Sequence, residues 1–270
     1  MIHTLFAYLT TLCYLAAAFL IGVRLFRKEG WTPPRWLAIA IGFIGLTLHS
    51  WVIWDGVAGH GGVNLGFYHA LALTAWTIVA LLLASSLTKP VDNLGLILLP
   101  AAALSLLLET HMADVGFMRH STSLALKIHV LISMLAYSLL TLAAVQSIIL
   151  AVQDHHLRHR RFTGFVRTLP PLQTMESLLF EMITAGFILL TLALLSGFAF
   201  LENMFAQHLV HKTILSVLAW LVFGGLLIGR YRHGWRGRTA ITWTLSGFGI
   251  LILAYFGSKA VLQFILQRAS

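Results

Sequence analysis

Apolar residues along this chain fall in long unbroken runs, separated by short clusters of glycine, proline and basic residues. Each run is about as long as a helix needs to cross roughly 30 Å of hydrocarbon. Backbone polar groups in lipid must be satisfied within the segment, so such runs read as helices. A membrane barrel would instead show short alternating segments. The pattern predicts an all-α, polytopic helical bundle of about eight spans, at 3–26, 36–54, 65–87, 93–109, 122–152, 177–203, 212–230 and 239–266. It reads as a single transmembrane domain over 1–270. Gly30 with Pro33-Pro34, the Gly59–Gly62 run, Pro90, Pro170-Pro171, and Gly234 with Gly237 mark boundaries, and Pro100 is expected to kink the fourth span. The first span lacks a basic leader and runs into Arg24, Arg27 and Lys28, unlike a cleavable signal peptide.

Composition agrees with this reading. Of 270 residues 59% are hydrophobic and 10% charged, against roughly 25% charged in soluble domains. The net charge of +9 is a topology signal. With the N-terminus outside, thirteen Lys and Arg fall on one side: Arg24, Arg27, Lys28, Arg35, Lys89, Arg158, Arg160, Arg161, Arg167, Arg230, Arg232, Arg236 and Arg238. Arg119, Lys127, Lys212, Lys259 and Arg268 fall on the other. By the positive-inside rule the first set is cytoplasmic and both termini are periplasmic, in a bacterial inner membrane. No loop is long enough for a folded nucleic-acid-binding surface, so the expected contact is membrane lipid.

The single cysteine, Cys13, excludes a disulfide framework, a CxxC redox pair and a CxxCH haem attachment site. No Walker loop, GxSxG elbow or HExxH stands out, so no catalytic residue is assigned.

The candidate chemistry is imidazole. Of thirteen histidines, His49, His60, His69, His111, His120, His129, His208 and His211 gather toward the outer side of the expected spans. The richest segment is HSWVIWDGVAGHGGVNLGFYHALALTAW (49–76). Here His49, Trp51 and Trp54 approach the outer face and Asp55 is expected to end the helix. His60 then lies on a glycine-rich turn, Asn64 caps the next span, and Tyr68 and His69 occupy its first turn. The same residues fit either an interfacial aromatic belt with polar anchors or a metal or haem site. His129 lies about two turns, roughly 10 Å, into the fifth span. It reads as a ligand or as a hydrogen bond between helices, since an ionisable group within the membrane is a functional candidate. The run DHHLRHRR (154–161) fits a metal-binding tract or a solvated, positive-inside loop. Asp55, Glu109, Asp114 and Glu202 lie near outer helix ends, while Asp154, Glu176 and Glu181 lie at cytoplasmic ends. None falls at mid-span, where proton-coupled transporters place carboxylates.

Five stretches resemble the membrane proteins of cytochrome c assembly, the CcsA-like and HemX-like haem-handling family. They are IHVLISMLAYSLLTLAAVQSIILAV (128–152), LPPLQTMESLLFEMITAGFILLTLALLSG (169–197), HKTILSVLAWLVFGGLLIGR (211–230), HGWRGRTAITWTLSGFGILILAYFGS (233–258) and, more weakly, GHGGVNLGFYHALALTAW (59–76). The nearest resemblance is to a small bacterial inner-membrane branch of the YpjD type. The resemblance implies a protein that holds haem b through outward-facing histidines and a tryptophan-rich loop, beside other proteins of cytochrome c biogenesis or haem metabolism. It places His129 at the first outer haem-ligand position and His60 at the early histidine of an intramembrane haem. The chain departs from the family pattern in the loop ENMFAQHLVHK (202–212), which lacks WGxxWxWD, and at Leu227–Arg230 and Leu266, where histidines are expected. A second axial ligand would come from His49, His69, His208 or His211, with Trp51, Trp54, Phe67 and Tyr68 packing on the porphyrin. Two other readings stand beside haem handling. One is a scaffold or regulatory partner docking through 154–176; the other is a transporter of a small ligand or metal ion.

Overall fold

The computed structural model describes residues 2–27, 32–60, 67–112, 124–159, 166, 168–200 and 210–257. These residues are helical apart from short connecting turns, with no strand among them. In order they form α1 (Ile2–Phe26), α2 (Arg35–His60), α3 (Phe67–Thr88), a 3-10 turn (Asp92–Leu94) and α4 (Gly95–His111). There follow α5 (Leu124–Arg158), α6 (Leu172–Phe200), α7 (Val210–His233) and α8 (Arg238–Ile252), the last continued by a π-helical turn (Leu253–Gly257). Seven of these segments are long and apolar enough to cross a membrane, and the chain is a multi-pass membrane protein.

Two expectations shift. Asp55 does not end the second span: α2 runs on to His60, so this histidine closes a helix instead of riding a turn. Glycine weakens a helix by only about 1 kcal/mol, and the surrounding apolar run carries α2 through Gly56 and Gly59. The eighth span has 15 α-helical residues before the backbone widens into the π turn, and the rest of 239–266 lies outside the described residues. Pro100 lies within α4, as expected of the fourth span. Asn64, the proposed cap, also lies outside them.

The chain divides into two compact units, Met1–His120 with His156–Pro170, and Ser121–His155 with Pro171–Ser270. In the first, α1 shows how a helix apolar on every side selects its inner face. Ala7, Thr10, Thr11, Tyr14, Ala17, Ala18, Ile21 and Leu25 are buried at helical spacing, while Leu5, Leu12 and Phe19 are exposed. Small and hydroxyl residues face neighbouring helices because lipid solvates large apolar groups as well as protein does. Gly45 on α2 gives the closest approach: a Cβ built there would stand 2.7 Å from two ring carbons of Tyr14. At the basic end, the Asp92 carboxylate accepts from Arg24 Nη1 and Arg35 Nε, both at 3.0 Å. Arg35 Nη2 also donates to the carbonyls of Ser86 and Lys89, which ties the ends of α1 and α2 to the α3–α4 turn.

The second unit repeats the device. Glu176, buried near the start of α6, faces Arg230 at 3.5 Å and Arg236 at 3.6 Å and accepts the Gly237 N–H at 3.2 Å. Gly237 adopts φ +56, a left-handed conformation that glycine takes without strain. Along α5 and α6, Gln146 Nε2 donates to Met175 O, and the Leu140 side chain fills the space beside Gly186.

Candidate functional site: imidazoles in each unit

In the first unit each of the four helices contributes one polar side chain to a buried set. Tyr14 on α1 reaches over Gly45 so that its hydroxyl meets His49 Nδ1 on α2 at 3.1 Å. His49 is fully buried, and its Nε2 has no hydrogen-bond partner among the described residues. On α3, His69 is 5% exposed, and its Nδ1 lies 3.2 Å from Glu109 Oε1 on α4. A carboxylate only accepts, so Nδ1–H donates. Cε1 of the His69 ring faces Gly56, where a Cβ would stand 3.8 Å from it. The second Glu109 oxygen is buried with no partner among the described residues. Nearer the helix ends, the exposed pair Tyr8 and His111 meets at 2.9 Å.

In the second unit, His129 on α5 is half-buried and borders a cavity of about 250 Å³. Its Nδ1 lies 2.9 Å from Ser196 Oγ on α6. That hydroxyl commits its own hydrogen to the Ala193 carbonyl at 2.9 Å, so it accepts from His129. In the neutral ring the proton is therefore on Nδ1 and the lone pair on Nε2. Metal-ligating histidines show this arrangement: one ring nitrogen anchored by a protein acceptor, the other left for the metal. Met134, Tyr137, Lys212, Thr213 and Tyr255 also line the cavity, and among the described residues no carboxylate does.

These positions sort the residues singled out from sequence. His49 and His69 share the first unit, and His129 stands in the second. Trp51 and Trp54 are 49% and 67% exposed, and Phe6 packs on Trp51 with centroids 5.8 Å apart. Phe67 and Tyr68 meet edge to face. His60 and His211 lie on helices, but their side chains are outside the described residues, as are His120 and His208 altogether. The segment 154–176 is described except at 160–165 and 167, which removes Arg160, Arg161 and Arg167. Among the described residues no three His, Cys, Asp or Glu side chains gather to hold a metal ion.

Sequence reasoning did not assign Tyr14, Glu109, Ser196 or Lys212 to a site. Each had a weak signal: a tyrosine in a run of small residues, a carboxylate at the depth of His69, a serine opposite His129, a cation opening a span.

Residues 37–266 match the family described as cytochrome C assembly protein. The chain is 32% identical over 268 residues to the inner membrane protein YpjD of Escherichia coli (strain K12), covering 96% of this chain and 98% of that one. It is 25% identical over 241 residues to the cytochrome c biogenesis protein CcsA of Chlamydomonas reinhardtii, covering 84% and 66%. To the protein of that name from Prochlorococcus marinus (strain NATL1A) it is 31% identical over 87 residues, 32% and 28% of the two chains. No solved structure matches. With its matched region running from the start of α2 past the end of α8, this multi-pass chain belongs to the cytochrome c assembly protein family.

Proposed function

We propose that this protein is a haem-handling component of the bacterial inner membrane, auxiliary to cytochrome c biogenesis, and that it holds haem b through His129. The single observation that carries the reading is the His129–Ser196–Ala193 chain, which leaves an Nε2 lone pair on a ring that borders a cavity. The lining fits the group: apolar and aromatic side chains for a macrocycle, and a neutral imidazole for its iron. At about 250 Å³ the cavity is smaller than the roughly 300–1,000 Å³ that encloses a drug-sized ligand. A porphyrin gripped there would extend beyond the mouth, which suits a protein that hands its ligand on. When bound, haem supplies the iron-porphyrin that a partner protein of the biogenesis pathway uses. His129 binds and orients it, and Ser196 fixes the ring and its proton. Glu109 anchors His69 in the first unit as Ser196 anchors His129 in the second. The thirteen-to-five distribution of Lys and Arg supports an orientation with both termini outside.

Detergent-purified protein loaded with haem should show a Soret band. His129→Ala should abolish the fraction bound through unit two, and Ser196→Ala should weaken haem affinity about 10–100-fold, as loss of an outer hydrogen bond does at ligating histidines. A band unchanged in His129→Ala would end this assignment, and a protein colourless after loading would end the haem reading itself.

A further inference from the structure

Among the described residues, Lys212 is the one cation lining the cavity beside His129. It lies in the first turn of α7, half-buried, with Thr213 and Ser216 from the same helix along the wall. Among the described residues neither an ion pair nor a hydrogen bond engages its ammonium, and no Asp or Glu of that set lines the space. An ammonium set against an apolar cavity is costly unless an anion meets it. The start of α7 adds to the same preference, since unpaired N–H groups and the helix dipole favour negative charge at a helix N-terminus. The same cavity is lined by the His129 imidazole and by Tyr137 and Tyr255, whose ring centroids are 5.5 Å apart. The lining thus combines an imidazole nitrogen, aromatic and apolar side chains, and a cation.

We infer that Lys212 is a positioning residue that pairs with a carboxylate of the ligand, and so sets which edge of a planar, carboxylate-bearing macrocycle enters the cavity. This rests on the haem reading for the identity of the ligand, but it needs no iron. His129 fixes the centre of the ligand and Lys212 fixes its rotation about the axis through that centre. An imidazole alone leaves that rotation free.

The test compares haem with its dimethyl ester, and iron-free protoporphyrin with its dimethyl ester, on the detergent-solubilised full chain. The unmodified protein should bind each free acid about ten-fold or more tightly than its ester, the factor of a charge-assisted hydrogen bond. Lys212→Met should bind acid and ester alike, at the affinity of the ester, while Lys212→Arg should retain the discrimination. Equal affinity of acid and ester in the unmodified protein, or discrimination that persists in Lys212→Met, overturns the inference. Discrimination with iron-free protoporphyrin alongside haem binding indifferent to His129→Ala would uphold Lys212 and overturn His129.

Discussion

The two units set the same side chain in two environments. In both, a histidine donates from Nδ1 to an acceptor on the neighbouring helix: His69 to Glu109 in the first, His129 to Ser196 in the second. The difference is access. His49 and His69 are sealed among α1–α4, whereas His129 borders a space with aromatic, apolar and cationic walls. An anchored imidazole is therefore not yet a binding site. The cavity and its counter-charge set His129 apart, and they come from α7 and the π turn after α8 as much as from α5.

The strongest way to sharpen this contrast is to disturb the first unit alone. Gly45→Val places a branched side chain against the Tyr14 ring, where even a Cβ would stand 2.7 Å away. Overpacking of this kind costs about 1–3 kcal/mol, and displacing Tyr14 adds the cost of an unpaired buried His49. Thermal unfolding in detergent should show the loss, while haem affinity at His129 stays put. A fall in haem affinity as deep as that of His129→Ala would break the separation of the two sites.

A gentler change asks what the Tyr14–His49 pair is for. Tyr14→Phe removes one partner and leaves His49 Nδ1 buried and unsatisfied, which costs about 1–3 kcal/mol. Replacing both partners by apolar groups is far cheaper than replacing one, so Tyr14→Phe with His49→Leu should recover most of the stability in the same melt. If the double variant melts normally yet retains less haem in total than Tyr14→Phe, His49 serves a second ligand as well as the fold.

Much of this architecture was legible in the sequence because lipid leaves the backbone one option per segment. Span positions followed from apolar length, whereas the Arg24–Asp92–Arg35 and Glu176–Arg230 contacts were not foreseen. Helix ends were less legible. Asp55 and the glycines after it resembled a stop, yet α2 continues, because an apolar run can outweigh local preference. The site was legible only in part. Histidines at shallow depth could be picked out, but their partners could not. Whether Ser196 meets His129 depends on the rotation of α6 about its own axis. The hydropathy of a helix that is apolar all round carries no record of that angle.

Rotation also decides the smallest predicted effect. Successive residues of a helix turn by about 100°, so on α2 Gly56 lies within about 20° of His49, while Trp51 and Trp54 lie about 140–160° away. The histidine face turns inward and the indole face outward, which is why His49 is fully buried and Trp54 is 67% exposed. Tryptophans so placed belong with the amphipathic ring that anchors helices at the membrane interface, and no rotation of α2 brings both sets to one ligand. Trp54→Phe should therefore change stability by no more than about 0.5 kcal/mol and leave haem titrations within about two-fold of the unmodified protein. A ten-fold loss of haem from this substitution would mean that the outer face of α2 carries a ligand of its own, and the contrast between a sealed and an open imidazole would have to be redrawn around it.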